Sequence, residues 1–299
     1  MIKYLGLLLT VFSFNSVAHA KLNIVASTAD IAALVREVVG DRANVVGIAK
    51  GSQDPHFIEA KPSYMIRLRD ADLLVSNGLS LEIGWLPSLI RGARNPKVSP
   101  GANGNLELGS LIEPLDKPTG VITRAMGDVH PDGNPHFMLD PIIVGDLAVK
   151  LAMRLGELDA ENKNFFASNA KAYQDSLSKK VIEWRARIEK TGVKKVVTYH
   201  PSLDYFLKRF GISAPIHLEA KPGVPPSAQH ILTVIDTMKR EGIKHLLVDN
   251  FFDTKIADRV AKDVPGAKIE SVGISVDSAD GLRRLEDVTE HLVKAVEVK

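Results

Sequence analysis

The spacing of apolar residues changes repeatedly along this chain. Residues 22–26 form a short apolar run. Ile31, Leu34, Val35 and Val38 then fall three or four apart, which predicts a strand followed by a helix N-capped at Ser27 or Thr28. "ANVVGIA" predicts a second short strand. "KPSYMIRLRDADLLVSNGLSLE" predicts a helix, a buried strand over residues 73–76 and an Asn-Gly turn. Residues 142–157 return to helical spacing. Strand and helix alternate, so this part is α/β with a mainly parallel sheet.

A longer pattern follows. Asp159 stands before a highly charged stretch, residues 161–190, in which Phe165, Phe166, Ala170, Tyr173, Leu177, Val181, Trp184 and Ile188 form one apolar stripe. A helix of this length spans roughly 45 Å, more than one domain needs, and reads as a stiff connector capped by Asp159. The α/β alternation then restarts. "KKVVTY", "APIHLEA", "IKHLLVDN" and "AKIESVG" predict strands. "PSLDYFLKRFG", a segment starting near Ser227, "DTKIADRVAKDV" and the C-terminus after Leu282 predict helices. The expected organisation is a lobe over residues 21–158, a connecting helix over 159–190 and a second lobe over 191–299. Any ligand is expected in the cleft between the lobes, at the carboxyl ends of strands.

Composition narrows the setting. Lys3, the apolar residues 5–14 and Ala18-His19-Ala20 have the order of a cleavable secretory signal, so residues 1–20 are set aside from the fold. The chain has no Cys, which excludes disulfides and an acylated-cysteine anchor and suits a soluble periplasmic protein. Removing Lys3 from 38 Lys+Arg leaves 37 against 36 Asp+Glu. That near-neutral balance offers no electrostatic case for nucleic acid or an anionic membrane.

The candidate chemistry lies in histidines on loops. "GDVHPDGNPHFMLDP" is too rich in Gly and Pro to be a helix interior or a central strand. His136 in this stretch, His56 in "GSQDPHF" and His200 in "VVTYHPS" each adjoin a proline. Asp277 in "GISVDSADG" follows the last strand. Three imidazoles and a carboxylate would suit tetrahedral zinc. Asp128, His130 and Asp132 read as a solvated cluster that touches metal only transiently. His217, His230, His245 and His291 read as ordinary structural residues. No H-E-x-x-H, G-x-S-x-G, P-loop or Rossmann pattern is present.

These motifs resemble those of the solute-binding proteins of zinc and manganese ABC importers. "DPHFIEAKPS" resembles the family's first-ligand motif, and "GNPHFMLDP" its second, with Met138 where Trp is usual. "YHPSLDYFLKRFGI" is similar to the third, "EAKPGVPPSAQHI" to a segment preceding a helix, and "GISVDSADG" more loosely to the fourth. The resemblance implies two α/β lobes joined by one long helix. It implies His56, His136, His200 and Asp277 as ligands; Asp249, after the strand "HLLV", is the next candidate carboxylate if Asp277 fails. A His rather than a Glu at the third position implies Zn(II) cargo rather than manganese. It further implies a monomer that serves an ABC permease, with a periplasmic donor protein as a further partner. The long His- and acid-rich loop of many zinc-binding members is replaced here by "GDVHPDG". The alternatives are a manganese-binding member, a secreted zinc hydrolase using a metal-bound water, and a surface adhesin on the same fold.

Overall fold

The computed structural model describes residues 20–120, 127 and 129–298. The predicted signal segment lies outside the described residues, apart from Ala20. β1 (Leu22–Ala26) sits between β2 (Ala43–Gly47) and β3 (Leu73–Ser76), and β4 (Asn105–Glu107) extends the sheet beyond β3. All three pairings are parallel. The connections carry α1 (Ala29–Val39), α2 (Pro62–Arg69) and α3 (Leu86–Ala93). Thr28 caps α1, its hydroxyl accepting from the Ile31 amide at 3.3 Å. A second parallel sheet runs β5 (Val197–Thr198), β6 (His245–Asp249), β7 (Lys268–Val272). The chain is thus mixed α/β with parallel sheets.

Both sheets are covered on two faces, as parallel sheets require. Side chains alternate across a strand, so Ile24, Ala26, Leu73 and Val75 enter one core while Val25 and Leu74 enter another. In the second sheet Leu247 faces the first core and Leu246 and Val248 a third. The shared first core follows α4 (Pro141–Leu158) and α5 (Lys163–Thr191). Phe166, Ala170, Tyr173, Leu177, Val181, Trp184 and Ile188 of α5 are buried along its length. Its far half is fastened to α9 (Leu285–Glu297): Trp184 Nε1 donates to Glu290 at 2.9 Å, and Arg187 pairs with Glu290 and Glu297 at 2.8 and 2.7 Å.

The structure departs from the sequence reading at Asp159 and at "APIHLEA", besides adding α3 and β4. α5 is N-capped by Asn162, while Asp159 is the C-cap of α4 and accepts from the Asn162 amide and side chain at 3.2 and 2.7 Å. Asp159 therefore braces the corner between two helices. "APIHLEA" forms only isolated bridges, Lys195 with Ser213 and Thr198 with His217. Pro215 has no amide hydrogen to offer a ladder there. The remaining helices are α6 (Asp204–Phe210), α7 (Ala228–Glu241) and α8 (Lys255–Asp263).

Candidate metal centre

Three imidazoles converge. One ring nitrogen from each of His56, His136 and His200 lies within 4.8 Å of the others. The ring centroids are 5.2 to 5.6 Å apart. His56 comes from the loop between β2 and α2, His136 from the turn before α4, and His200 from the end of β5.

The two x-Pro-His motifs share one local device. In Asp54-Pro55-His56, Asp54 Oδ1 accepts the His56 amide at 3.0 Å and its Nδ1 at 2.7 Å. In Asn134-Pro135-His136, Asn134 Oδ1 accepts the His136 amide at 3.0 Å and its Nδ1 at 2.8 Å. A short side chain two residues before the imidazole reaches both groups because the intervening proline presets the turn. Each carbonyl or carboxylate oxygen is already accepting an amide, so the Nδ1 beside it carries the hydrogen. The Nε2 lone pair is left pointing away.

His200 achieves the same state from a distance. Its Nδ1 lies 2.8 Å from Glu219 Oε2, which also accepts the Gly223 amide at 3.0 Å. The two side chains are only 7% and 5% exposed. Three Nε2 atoms are thus free of hydrogen and fixed in direction by outer partners, the arrangement that a metal-ligating imidazole needs. Burial, reinforced by His200, His56 and His130, holds His136 well below the ordinary histidine range. It is neutral and ready to ligate without losing a proton. Burial pushes the Asp54 carboxyl up, but its hydrogen bond to and charge attraction for His56 outweigh this and leave it low.

The site is tied to the frame. Asn134 Nδ2 donates to Pro201 O at 2.9 Å, Tyr205 Oη to Asn134 O at 2.8 Å, and Asn77 Nδ2 to Pro135 O at 2.9 Å. Trp85 Nε1 holds Pro55 O at 2.9 Å. A cleft of about 320 Å³ opens onto the rings and is lined by His130, His136, His200, Asp204 and His217 among others. Asn134→Ala should release His136 and weaken metal binding about 10- to 100-fold, while Asn134→Asp, which keeps the acceptor, should retain most of it. Calorimetric titration reads both, and equal affinity of wild type and Asn134→Ala would contradict this role.

The acidic candidates are elsewhere. Asp277 does not join the imidazole group. Its Oδ1 accepts the Ala279 amide at 2.9 Å, its backbone bridges Leu282, and the loop packs against Gly51, where an added Cβ would meet Val276 O at 2.2 Å and Asp277 Cβ at 2.8 Å. A local turn and this contact hold it apart. Asp249 also stays outside the group. It is fully buried at the end of β6, with Oδ2 accepting from Ser202 at 2.7 Å and Oδ1 unpartnered. Asp132 is exposed and lines a different cavity with Gly78 and Ser80. Asp128 lies outside the described residues.

His130 corrects the solvated-loop expectation. Its Nε2 is 3.2 Å from His56 Nε2, with ring centroids 5.2 Å apart. The sequence reading also passed over Asp54, Asn134 and Glu219. The shared Asx-Pro-His signature could have revealed the first two, whereas Glu219 reaches across 19 residues.

Burial is the main force on Asp249. Opposed by the Ser202 hydroxyl and aided by Asp54 and Glu219, it pushes the carboxyl up to about 7. An unfolded Asp titrates near 3.9, so the folded state binds more protons between about pH 4 and 7. Stability from this group therefore falls as pH rises through that window. Asp249→Asn should stabilise the metal-free protein more at pH 8 than at pH 4, by at most roughly 4 kcal/mol. Thermal melts at the two pH values check this, and an equal shift at both would contradict it.

Comparison with known proteins accords with this site. The family model described as zinc-uptake complex component A, periplasmic, matches residues 24–296. The manganese ABC transporter substrate-binding lipoprotein PsaA of Streptococcus pneumoniae is 25% identical over 254 residues, covering 83% of this chain and 79% of its own. The high-affinity zinc uptake system protein ZnuA of Bacillus subtilis is 24% identical over 278 residues, covering 91% and 86%. A crystal structure of a ZnuA deletion mutant with zinc bound matches at a TM-score of 0.75 and 25% identity, covering 94% of this chain and 100% of that one. Such proteins bind metal for ABC transporters, working with permease and ATPase components, and are not enzymes, so the hydrolase alternative falls. The chain belongs to the zinc-uptake complex component A family of metal ABC transporter substrate-binding proteins.

Proposed function

We propose that this protein captures Zn(II) in the periplasm through His56, His136 and His200 and delivers it to an ABC permease. The observation that carries this reading is the convergence of three imidazoles whose Nδ1 atoms are already engaged. Imidazole suits zinc, while manganese is better served by carboxylate and carbonyl oxygen. His200 stands where a carboxylate ligand would shift the balance toward manganese. Neither Asp277 nor Asp249 lies in the group.

Export rests on residues 1–20, with their basic start and apolar run. Among the described residues no helix is long and apolar enough to cross a membrane. Delivery needs only capture, docking and release, by a monomer that takes its ion from solution or from a donor protein. The test is growth and metal uptake by cells lacking the chain. Growth should fail in zinc-depleted medium and recover with added zinc. Recovery with manganese instead would overturn the zinc reading.

A further inference from the structure

We infer that Asp30 is a positioning residue for the metal centre: by holding Ser275 and Val276 it fixes the segment after β7 against the first sheet, and so keeps His200 within reach of His56 and His136. This inference rests on the three-imidazole reading above and names what holds those ligands at their distance.

The three ligands come from parts of the chain built on two sheets. His56 follows β2 and His136 precedes α4, whereas His200 follows β5. Their separation therefore depends on how the two sheets are fastened to each other. One fastening is the contact of Asn134 with Pro201 and Tyr205. A second is Asp30. Its Oδ2 accepts from Ser275 Oγ at 2.9 Å and its Oδ1 from the Val276 amide at 2.7 Å, which joins the first turn of α1 to the segment after β7.

Asp30 is more than a first-turn acid. The helix dipole favours a carboxylate there even when it stays in water, and Thr28 already caps α1. Both Asp30 oxygens are instead committed to a segment 245 residues away. Burial pushes this carboxyl up to about 6, against the pull of its bonds to Val276 and Ser275. Burying a carboxylate is costly, and bonds of this kind offset the cost only while the two sheets stay together.

Val276 is gripped from a second side. An added Cβ at Gly51 would meet Val276 O and, at 2.8 Å, Asp277 Cβ. The loop that carries His56 thus lies directly on the segment that Asp30 holds. Arg284 donates to Glu37 at 2.9 and 3.1 Å and ties the far end of the same segment to α1.

The grip reaches the ligands. A cavity of about 50 Å³ is lined by Asp30, Gly51, Asn77, Ser275 and His136 among others. Asn77 holds Pro135 O at 2.9 Å, next to His136. Loss of the Asp30 bonds lets one wall of this cavity move against the other, and a site keeps its geometry only while its supports are fixed.

The test is zinc affinity and zinc release, measured on the full chain with a chromophoric chelator, and the visible spectrum of the cobalt(II) form. The variants are Asp30→Ala, Asp30→Asn, Ser275→Ala and the Asp30→Ala, Ser275→Ala double. Asp30→Ala should weaken zinc binding at least about tenfold, mainly through faster release, the order of one charge-assisted hydrogen bond. Asp30→Asn should keep most of the affinity, because its amide can accept from Val276 and donate to the Ser275 hydroxyl. Ser275→Ala should weaken binding in the same direction, and the double variant should bind no worse than Asp30→Ala. The cobalt bands should match wild type throughout, because the ligands are unchanged. Wild-type affinity and release in Asp30→Ala and Ser275→Ala, additive losses in the double variant, or altered cobalt bands would overturn the inference. Should Asp30→Ala not fold, Ser275→Ala against wild type decides by affinity, release and spectrum. A wild-type protein that bound neither metal would instead overturn the proposed function.

Discussion

His136→Ala should lower zinc affinity at least about a thousandfold, the largest effect expected of a single substitution. The removed imidazole is part-buried, neutral and held by Asn134 Oδ1. Water could enter its place, but water is a weaker ligand for zinc, and its polar neighbours were arranged around a ring. A thousandfold corresponds to roughly 4 kcal/mol, the scale expected for loss of a directionally fixed ligand. His56→Ala and His200→Ala should follow the same direction. The metal-free melting temperature should change little for His56→Ala, because that ring stands on a loop outside the three cores. Equilibrium competition with a chromophoric chelator checks affinity. Wild-type affinity in His136→Ala would remove this residue from the site.

The second large effect concerns the choice of metal. Zinc should be preferred over manganese at neutral pH by at least about a thousandfold, because the site offers nitrogen donors and the Irving–Williams order adds to that preference. His200→Glu should narrow the gap by exchanging a nitrogen for oxygen while weakening zinc. Copper is left out of this expectation, since that order places it above zinc. Competition titration of metal-free protein checks the ratio, and a manganese preference in wild type would contradict it.

The parts of the fold set by local rules were legible in the sequence. β1, the Thr28 cap of α1, the run 73–76 and the stripe of α5 all follow from side-chain period and capping chemistry. β4 is three residues long and carries no period to read. "APIHLEA" has the composition of a strand, yet its neighbours and Pro215 reduce it to isolated bridges.

At the site, His56, His136 and His200 stood out because proline and turn residues surround them. The outer layer was harder to see. Glu219 reaches His200 through tertiary folding alone. Asp277 stands outside the imidazole group in this structure, and nothing in "GISVDSADG" announces its contact with Gly51. His130 was read as solvated because its restraints come from Leu79 and Leu115, far away in sequence.

The central claim is that imidazoles from His56, His136 and His200 hold zinc together. X-ray absorption at the zinc edge of the loaded protein tests it most directly. The account predicts a first shell of nitrogen or oxygen at about 2.0–2.1 Å, with the outer-shell scattering of at least three imidazoles. A shell dominated by oxygen, with the signature of one imidazole or none, would contradict it.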